Sequence, residues 1–510
     1  MLYPTFRLLR AALILLAPAL AFAADSTRPN ILLVIADDQS WPHASAYGYA
    51  GIRTPGFDRV AKNGVLFRNA IAASPGCSPC RAALLTGRHP WMIEQAGTHA
   101  SSFPRQYVTY PELLQKAGYH VGVTGKGWGP GNWQLDGWPH NPAGVGFDKK
   151  KVQNARISGV SANDYAANFA EFLEQKPKDQ PFCFWFGASE PHRGFEKGSG
   201  LKLGKKLEDA IVPPFLPDTP EIRSDILDYL VEIEYYDAHL VRILQHLEAR
   251  GELANTLIIV TADNGMAFPR AKANCYEYGI HMPLAIAWPA RVPAGRVVDD
   301  IVGFVDLTAT ILEAARVTRP SSAPPGVGRS LLPVLTSQRQ GLVDATRTRA
   351  FSSRERHSSS RPGNLGYPQR ALRTEQFLYI RNFAPDRWPA GDPRALDKNR
   401  QTGPMHGAYH DIDSSPTLTF LTRNHADANI ARFLDLAVGK RPAEELYDIR
   451  QDPGCLVNLA AQPTHATTRQ QLAKELEDYL RKTGDPRVTG NREVWESYIR
   501  YSPLREFPTL

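Results

Sequence analysis

The 510-residue chain contains little cysteine, and this scarcity excludes several classes of protein. Five cysteines are too few and too scattered for the disulfide framework of a small secreted scaffold. Cys77 and Cys80 are three residues apart, but the chain has no second such pair to complete a zinc site. An odd number also leaves one thiol over if the others pair, so at least one cysteine needs another explanation.

Long apolar runs are missing as well, except at the N-terminus. Arg7 and Arg10 precede the run ALILLAPALAFA, which ends in a small-residue cleavage pattern. This combination predicts a secretory signal peptide over residues 1–24, whereas the alternative, a membrane anchor, would need a longer run. Because no later segment is apolar for long enough to span a bilayer, we expect a protein without a stable membrane anchor. The expected location is secreted or periplasmic, or lysosomal if the source is eukaryotic.

An extreme charge is absent too. The formal net charge is +7, and removal of residues 1–24 with their two arginines leaves +5. The basic residues are scattered and no nucleic-acid-binding motif accompanies them, so nucleic acid is not an expected partner. A mildly positive protein suits an anionic substrate. No internal repeat is present, and the length predicts two or three structural units.

Short apolar runs alternate with helical patterns through the first two thirds of the chain, which predicts α/β architecture. Unbroken apolar strands are expected inside a sheet that helices cover on both faces. Four such runs, residues 31–36, 120–124, 182–189 and 256–262, are followed within three residues by Asp37, Lys126, His192 and Asp263. Open α/β sheets bind ligands beyond the carboxyl ends of their strands. Each polar residue alone fits a turn, but together they predict a site.

One long helix and one change in amino-acid composition define the rest of the domain organisation. Residues 219–250 are predicted to form a helix, with Thr219 as its cap, Pro220 in the first position and Gly251 after its end. Polar and Pro/Gly-rich stretches dominate after residue 340. We therefore expect a catalytic domain over residues 25–370 and a smaller α+β subdomain over residues 371–510, with a strand from Phe377 and a last helix over 468–481.

The most specific segment is CSPCRAALLTGR, residues 77–88. Pro79 suits the first turn of a helix that continues through the following alanines and leucines. The N-terminus of that helix would present free N–H groups and a positive dipole end to an anion. Arg81 lies one turn beyond Cys77, hence on the same face, where it can hold the nucleophile or an anion oxygen. The alternative interpretation is a buried structural cysteine at a turn.

Two pairs of polar residues predict a metal site. Asp37 and Asp38 follow one apolar run, and Asp263 and Asn264 follow another. Their hard oxygen atoms suit Ca²⁺, which takes several oxygen ligands and tolerates loose geometry. Adjacent carboxylates repel each other unless a cation neutralises them. Ordinary turn acids would explain either pair alone, but they explain both pairs at equivalent strand ends poorly.

The pattern C-x-P-x-R followed by LLTG resembles the signature of the sulfatase family. The resemblance runs from Pro29 to about Leu459, and it is most marked towards the branch of N-sulfoglucosamine sulfohydrolases (heparan N-sulfatases). Supporting stretches include EPHRG from Glu190 and TADNGMAFPRAK from Thr261. The resemblance implies an alkaline-phosphatase-like fold: a large mixed sheet between helices, and a small C-terminal antiparallel sheet with a helix.

The resemblance also implies the chemistry. Cys77 is expected to be converted to Cα-formylglycine (3-oxoalanine) by a formylglycine-generating enzyme. Its hydrated aldehyde would join the four oxygen ligands around one calcium ion and act as the nucleophile. Arg81, Lys126 and Lys272 would stabilise charge on the transferring group, and His192 would protonate the departing amine or alcohol. As isolated residues, His192 and Lys272 also fit a structural histidine and a solvated loop lysine.

Three residues are candidates for substrate contact: His99, Arg193 and His357. The expected activity is release of inorganic sulfate from a sulfated saccharide, with the N-sulfate of glucosamine from heparin or heparan sulfate as first candidate. An aryl or carbohydrate O-sulfatase is the next candidate, followed by a phosphoesterase of the same superfamily and a glycan-binding protein with a dead site. The sequence leaves open whether the protein forms a homodimer.

The sequence departs from the family pattern at two positions of the site. The family commonly has histidine two residues after the lysine of the third run, where this chain has Trp128. Proton transfer is then expected to fall on His192 or on another histidine such as His99. The family usually has serine at the position of Cys80. A thiol one turn from Cys77 is near enough in the sequence to form a disulfide with it, and such a disulfide would block conversion of Cys77.

Overall fold

The computed structural model describes residues 28–153, 156–397, 399 and 401–502. The predicted signal peptide, residues 1–24, lies outside these residues. The strands, numbered β1 to β12 in chain order, are Asn30–Ala36, Val65–Ile71, His120–Gly125, Val145–Gly146, Phe182–Gly187, Thr256–Ala262, His281–Ala287, Arg296–Gly303, Ala350–Arg354, Gln369–Arg373, Phe377–Asn382 and Glu444–Asp448. The helices, α1 to α14, are Pro55–Lys62, Cys77–Thr86, Tyr110–Lys116, Tyr165–Gln175, Ser199–Lys202, Pro220–Ala249, Glu277–Ile280, Phe304–Ala314, Leu332–Leu335, Pro416–Arg423, Ala428–Val438, Ala466–Lys482, Pro486–Thr489 and Val494–Ser497.

Eight strands form one mixed sheet in the order β4-β3-β5-β1-β6-β7-β2-β8. Strands β3, β5, β1 and β6 are parallel neighbours, and these are the four apolar runs of the sequence. Their carboxyl ends therefore meet at one edge of the sheet. Strand β7 is antiparallel to both β6 and β2, so β2 also ends at this edge, and α2 begins there with Cys77.

Helices cover both faces of the large sheet. Side chains of β1 from Ile31 to Ala36 point alternately to the two faces, and all of them are buried. The long helix α6 packs against β1, α1 and α4, while α2 and α3 pack against α8. The prediction of α6 is confirmed: Thr219 caps it by accepting the Ile222 N–H, and Pro220 is its first residue.

The remaining strands form a separate antiparallel sheet in the order β12-β11-β10-β9, against which α12 packs. Two expectations are confirmed here, since β11 starts at Phe377 and α12 spans the predicted last helix. The boundary at residue 371 stays a prediction, although the small sheet takes its first strand from Ala350–Arg354. Within the described residues no helix is long and apolar enough to cross a bilayer.

The predicted fold class is thus confirmed. A large mixed sheet lies between helices, and a smaller sheet with a helix follows it in the chain. The parallel strands at the centre of the large sheet bring residues that are far apart in the sequence to one edge.

Candidate active site

Both predicted acid pairs lie at this edge. Asp37 and Asp38 follow β1, and Asp263 and Asn264 follow β6, its parallel neighbour. All four side chains are buried. The Asp38 N–H donates to Asp263 Oδ1 at 3.1 Å, which ties the two strand ends together. Asp38 adopts φ 72°, in the left-handed region, where aspartate is tolerated better than most residues.

Two oxygen atoms of this group have no hydrogen-bond partner among the described residues: Asp37 Oδ1 and Asn264 Oδ1. Buried acceptors are almost always satisfied, so two neighbouring exceptions need an explanation. Asp37, Asp38 and Asp263 each offer an oxygen, and the three atoms lie within 4.8 Å of one another. These residues fit the oxygen-ligand preference of a calcium ion.

Each carboxylate has a cationic neighbour. Lys126 Nζ donates to Asp37 Oδ2 at 2.5 Å, Arg81 Nε to Asp263 Oδ2 at 2.7 Å, and Lys272 Nζ to Asp38 Oδ2 at 2.6 Å: three buried acids with three cations.

Opposing effects act on the acidity of Asp37 and of Asp263. Burial is the largest influence and favours the neutral form of Asp37, but the charges of Lys126, His192 and Arg81 together outweigh it and lower the pKa of Asp37 to about 2. Burial raises the pKa of Asp263 despite the guanidinium of Arg81. The same carboxylates raise the pKa of the buried guanidinium and ammonium, so both cations stay charged.

Arg81 is the cation best placed for an anion. Its Nη1 donates to the carbonyls of Lys126 and Gly127 at 2.6 and 3.1 Å, which fixes the plane of the guanidinium. Its Nη2 has no hydrogen-bond partner among the described residues and lies 3.9 Å from Asp37 Oδ1. An orphaned donor therefore lies next to an orphaned acceptor, as expected of a pocket that takes both a cation and an anion.

Cys77 is the first residue of α2, directly after Gly76. Its Sγ lies 4.0 Å from Asp38 Oδ1, and ligand atoms of Asp37, Cys77 and His192 lie within 4.8 Å of one another. Burial, followed by the charge of Asp37, raises the pKa of the Cys77 thiol well above its usual range. The unmodified residue is therefore a thiol at neutral pH and a poor nucleophile.

His192 follows β5 and faces the same acids. Its Nε2 is 3.9 Å from Asp38 Oδ2, and its Nδ1 lies within hydrogen-bonding distance of the Arg193 carbonyl. Burial and the Lys272 ammonium lower the pKa of His192 below its usual value. The His192 side chain is 36% exposed, whereas those of Arg81, Lys126 and Lys272 are 0%, 19% and 4% exposed. It therefore has access to whatever enters the pocket.

Two candidate substrate contacts, His99 and His357, lie together. Their ring centroids are 4.4 Å apart. A Cβ atom on Gly76 would come within 3.1 Å of His357 Nδ1, so the histidine packs against the residue that precedes Cys77. A larger residue at position 76 would therefore require the His357 ring to shift by a few tenths of an ångström. The roles of both histidines in substrate binding stay predictions.

The third candidate, Arg193, is engaged with the protein itself. It donates two hydrogen bonds to Asp225 at 2.5 and 2.9 Å and a third to the Ala267 carbonyl. Its guanidinium lies over the rings of Phe195 and Phe268. A substrate contact would have to replace one of these partners, so the geometry favours a structural role, and substrate binding by Arg193 stays a prediction.

The two residues that depart from the family pattern, Trp128 and Cys80, are both buried. Trp128 is buried, and its Nε1 donates to the Ser78 carbonyl at 3.1 Å. An indole N–H cannot accept a proton, so Trp128 cannot replace a histidine base. Cys80 is buried in α2, and burial raises the pKa of its thiol to about 12. All five cysteines are free thiols in this structure.

Sequence reasoning missed one acid of the site. Asp413 comes from the C-terminal third of the chain, and its Oδ2 lies 3.4 Å from Lys272 Nζ. No motif surrounds it, because it belongs to an irregular segment, and only the acidic pattern of Asp411 and Asp413 beside a helix start was visible. The structure alone brings it to Lys272.

The fold and this geometry together define an α/β protein in which buried acidic side chains and their cationic partners converge on the start of one helix, an arrangement suited to binding an anion. Comparison with known proteins defines the class further. The family model described as "Sulfatase" matches residues 29–317. The chain belongs to the sulfatase family, whose members hydrolyse sulfuric esters, and the predicted resemblance is confirmed. A second model, described as "N-sulphoglucosamine sulphohydrolase, C-terminal", matches residues 270–397.

Individual relatives agree. The chain is 29% identical to human N-sulphoglucosamine sulphohydrolase over 92% of its own length and 93% of that protein. It is 26% identical to an N-acetylglucosamine-6-O-sulfatase of Bacteroides thetaiotaomicron, over 76% and 84% of the two chains. A solved structure in complex with its substrate D-glucosamine-2-N,6-O-disulfate has a TM-score of 0.61 at 21% identity, covering 91% of this chain and all of the other. The last comparison shows the fold.

Proposed function

We propose that the protein is an exported sulfohydrolase that releases inorganic sulfate from a sulfated sugar, with the N-sulfate of glucosamine as its preferred target. The observation that carries the proposal is the position of Cys77. It begins a helix, it lies beside the carboxylates of Asp37 and Asp38, and the charges of Arg81, Lys126 and Lys272 act on it.

The arrangement suits a tetrahedral sulfate group. The start of α2 offers backbone N–H groups, and Arg81 offers its Nη2 group, which has no hydrogen-bond partner among the described residues. Lys126 and Lys272 add positive charge from two further directions. In a buried pocket these donors are preorganised for charge on the transferring group, which is the main electrostatic contribution to catalysis of this kind.

Two groups absent from the chain as synthesised complete the proposal. Formylglycine at position 77 supplies a hydrated aldehyde as nucleophile, and Ca²⁺ held by Asp37, Asp38, Asp263 and Asn264 supplies positive charge beside it. His192 is the proton donor to the departing nitrogen, because it is the one predicted catalytic group with both a ring N–H and access to the pocket.

The proposal includes maturation of Cys77 and export of the chain. The segment from Cys77 to Arg81 is fully buried, so a formylglycine-generating enzyme has to act before the chain folds. Export is expected from the leader sequence of residues 1–24, to the outside of the cell, the periplasm or a lysosome.

The N-sulfate preference rests on similarity. The human relative is named for N-sulfoglucosamine, and the match over residues 270–397 carries the same description. The structural relative was solved with a sugar that carries both an N-sulfate and a 6-O-sulfate. A second candidate is therefore an O-sulfatase, which similarity to the 6-O-sulfatase of Bacteroides thetaiotaomicron favours.

One panel of substrates tests the proposal. Protein produced together with a formylglycine-generating enzyme is assayed for sulfate release from glucosamine N-sulfate, N-acetylglucosamine 6-O-sulfate and an aryl sulfate, and for phosphate release from an aryl phosphate. We expect the N-sulfate to be the best substrate, with no release by a Cys77→Ala variant. Preference for the 6-O-sulfate would establish the second candidate. Preference for the phosphate, or binding of the sugars without turnover, would refute a sulfohydrolase.

A further inference from the structure

A short segment of the C-terminal part of the chain brings an acidic side chain to the predicted catalytic lysine, Lys272. We call residues 411–417 the strap. Asp411, Asp413 and Thr417 are buried, while Ser414 between them is exposed. The strap ends in the first turn of α10, which begins at Pro416.

The strap is attached at its start to the small sheet. Asp411 accepts a hydrogen bond from Arg354 Nη2 at 2.6 Å and forms an ion pair with Arg361 at 2.9 Å. It also accepts from the backbone N–H and the hydroxyl of Ser358 at 2.9 and 2.5 Å. These partners leave the Asp411 carboxylate little freedom.

The strap is attached at its other end to the large domain. The Thr417 hydroxyl donates to Asp225 Oδ2 at 2.5 Å, and Asp225 in turn binds the guanidinium of Arg193. Ser415 caps α10 by accepting the Leu418 N–H at 3.0 Å. The strap is therefore held on both sides of Asp413.

Asp413 lies between these anchors, beside a predicted catalytic cation. Its Oδ2 is 3.4 Å from Lys272 Nζ, which also donates to Asp38 Oδ2 at 2.6 Å. All three side chains are buried. Lys272 thus lies between two carboxylates, of which Asp38 belongs to the proposed calcium ligands and Asp413 does not.

The position of Asp413 matters because calcium and Lys272 would both bind the Asp38 carboxylate. A cation that takes the Asp38 carboxylate competes with Lys272 for the same negative charge. A buried ammonium without a nearby counterion is strongly disfavoured, so calcium binding would otherwise displace the Lys272 side chain from its position beside Asp38. Asp413 offers a second negative charge from outside the ligand group.

We propose that Asp413 is a positioning residue that holds the Lys272 ammonium beside the sulfate subsite when Asp38 binds calcium. The inference rests on the proposed function, because it assigns Lys272 to the transferring sulfate group. It adds a role for the C-terminal part of the chain: the strap supplies one side of the active site through its contact with Lys272.

A double-mutant cycle tests the pairing. Asp413→Asn, Lys272→Met and the double variant are compared with the parent protein in kcat and KM for glucosamine N-sulfate. We expect Asp413→Asn to lower kcat by about tenfold or more with a smaller change in KM, because the lysine acts on the transition state. In the Lys272→Met background the same substitution should change kcat by less than about twofold, since its effect passes through the lysine.

The same cycle is measured without substrate, by calorimetric titration of calcium into each variant. Asp413→Asn should raise the calcium Kd several-fold, because Lys272 then competes fully for Asp38. This increase should largely vanish in the Lys272→Met background. A matched control is Asp300→Asn, a buried aspartate that accepts two backbone N–H groups away from the site; its effects should be independent of Lys272.

Equal effects of Asp413→Asn in both backgrounds would show a purely structural role and overturn the inference. If Asp413→Asn does not fold, Asp413→Glu replaces it: retention of the charge should keep the calcium Kd near the parent value, and a several-fold weaker Kd for Asp413→Glu would overturn the inference. Failure of the proposed function gives a different result, namely no sulfate release by the parent protein with the calcium cycle intact.

Discussion

Two clusters of buried charge in this molecule differ in how completely their atoms are bonded. In the small sheet, Arg370 donates to Asp485 at 2.5 and 3.0 Å and forms an ion pair with Glu355 at 2.7 Å, and Arg487 also contacts Glu355. None of these four side chains has an orphaned polar atom among the described residues. This cluster connects β10 of the small sheet with the start of α13.

The cluster at the edge of the large sheet is equally buried but incompletely bonded. Asp37 Oδ1 and Asn264 Oδ1 lack donors, and Arg81 Nη2 lacks an acceptor. Orphaned donors also occur elsewhere, for example on Arg356 and Arg441. The edge cluster differs because its orphaned donor, Arg81 Nη2, lies 3.9 Å from an orphaned acceptor, Asp37 Oδ1. Charged groups whose polar atoms all have partners serve the structure, whereas an orphaned donor close to an orphaned acceptor indicates a binding site for a ligand.

The largest expected effect concerns Cys77. Cys77→Ala in protein produced with the modifying enzyme should lower kcat by at least about 10⁴-fold, because it removes the nucleophile. The side chain is small and replaced by a smaller one, so the protein should stay folded. Sulfate release and circular dichroism are measured together. Retention of most activity would contradict the assignment of Cys77.

Substitution in the cluster of the small sheet should change the free energy of unfolding rather than the activity. Arg370→Met leaves two buried carboxylates without their shared cation and should lower the free energy of unfolding by about 3–5 kcal/mol. Denaturant unfolding measures the loss, with Arg59→Met, which breaks an exposed pair with Glu248, as a control expected to cost less than about 1 kcal/mol. Specific activity of the folded fraction of Arg370→Met should be unchanged. A loss of stability no larger than that of Arg59→Met would contradict the structural role assigned to the cluster in the small sheet.

Calcium should stabilise the edge cluster. At about 100 times its Kd, calcium should raise the free energy of unfolding by about 2.7 kcal/mol in the parent protein. Asn264→Ala removes one orphaned oxygen and should reduce this gain at the same calcium concentration. Asn424→Ala, on the exposed end of α10, is the control that should retain the full gain. Thermal unfolding with and without a chelator supplies the measurement, and an identical gain in Asn264→Ala would exclude the residue as a ligand.

A smaller effect is expected at Glu232 on α6. Both of its carboxyl oxygens are buried without a hydrogen-bond partner among the described residues, and burial followed by the charge of Glu190 raises the pKa of Glu232 to about 9. The unfolded chain ionises near pH 4.3, so this group makes folding less favourable as the pH rises from about 4.3 to 9.

Glu232→Gln should therefore stabilise the protein by about 1–2 kcal/mol at pH 7.5 and by much less at pH 5. Unfolding curves at the two pH values test this difference. Glu248→Gln, exposed on the same helix, should show little difference between them. An equal effect of Glu232→Gln at both pH values would show that the carboxyl is not held neutral in the fold.

Much of the site could be predicted because it follows strands with strong local patterns. Asp37, Lys126, His192 and Asp263 follow buried apolar runs, and parallel pairing brings the ends of such runs together. The start of α2 was visible in Pro79 and the apolar residues after it. The long helix α6 had its cap, its first proline and its periodicity in the sequence.

Contacts between distant irregular segments could not be predicted. Asp413 reaches Lys272 across 141 positions of chain, through a strap without periodicity or motif. Arg193 appeared suited to an anion, yet Asp225 of α6 engages it, and the sequence contains no signal for that pairing. The first strand of the small sheet was missed since Ala350–Arg354 is short and its partner lies beyond a loop.

The central claim is that Cys77 is the precursor of the nucleophile, and the mass of the peptide that contains it tests this most directly. In protein produced together with a formylglycine-generating enzyme, we expect that peptide to show the mass change of replacing H₂S by O, and the same preparation to release sulfate from glucosamine N-sulfate. An unmodified Cys77 peptide from a preparation that still releases sulfate would contradict the account.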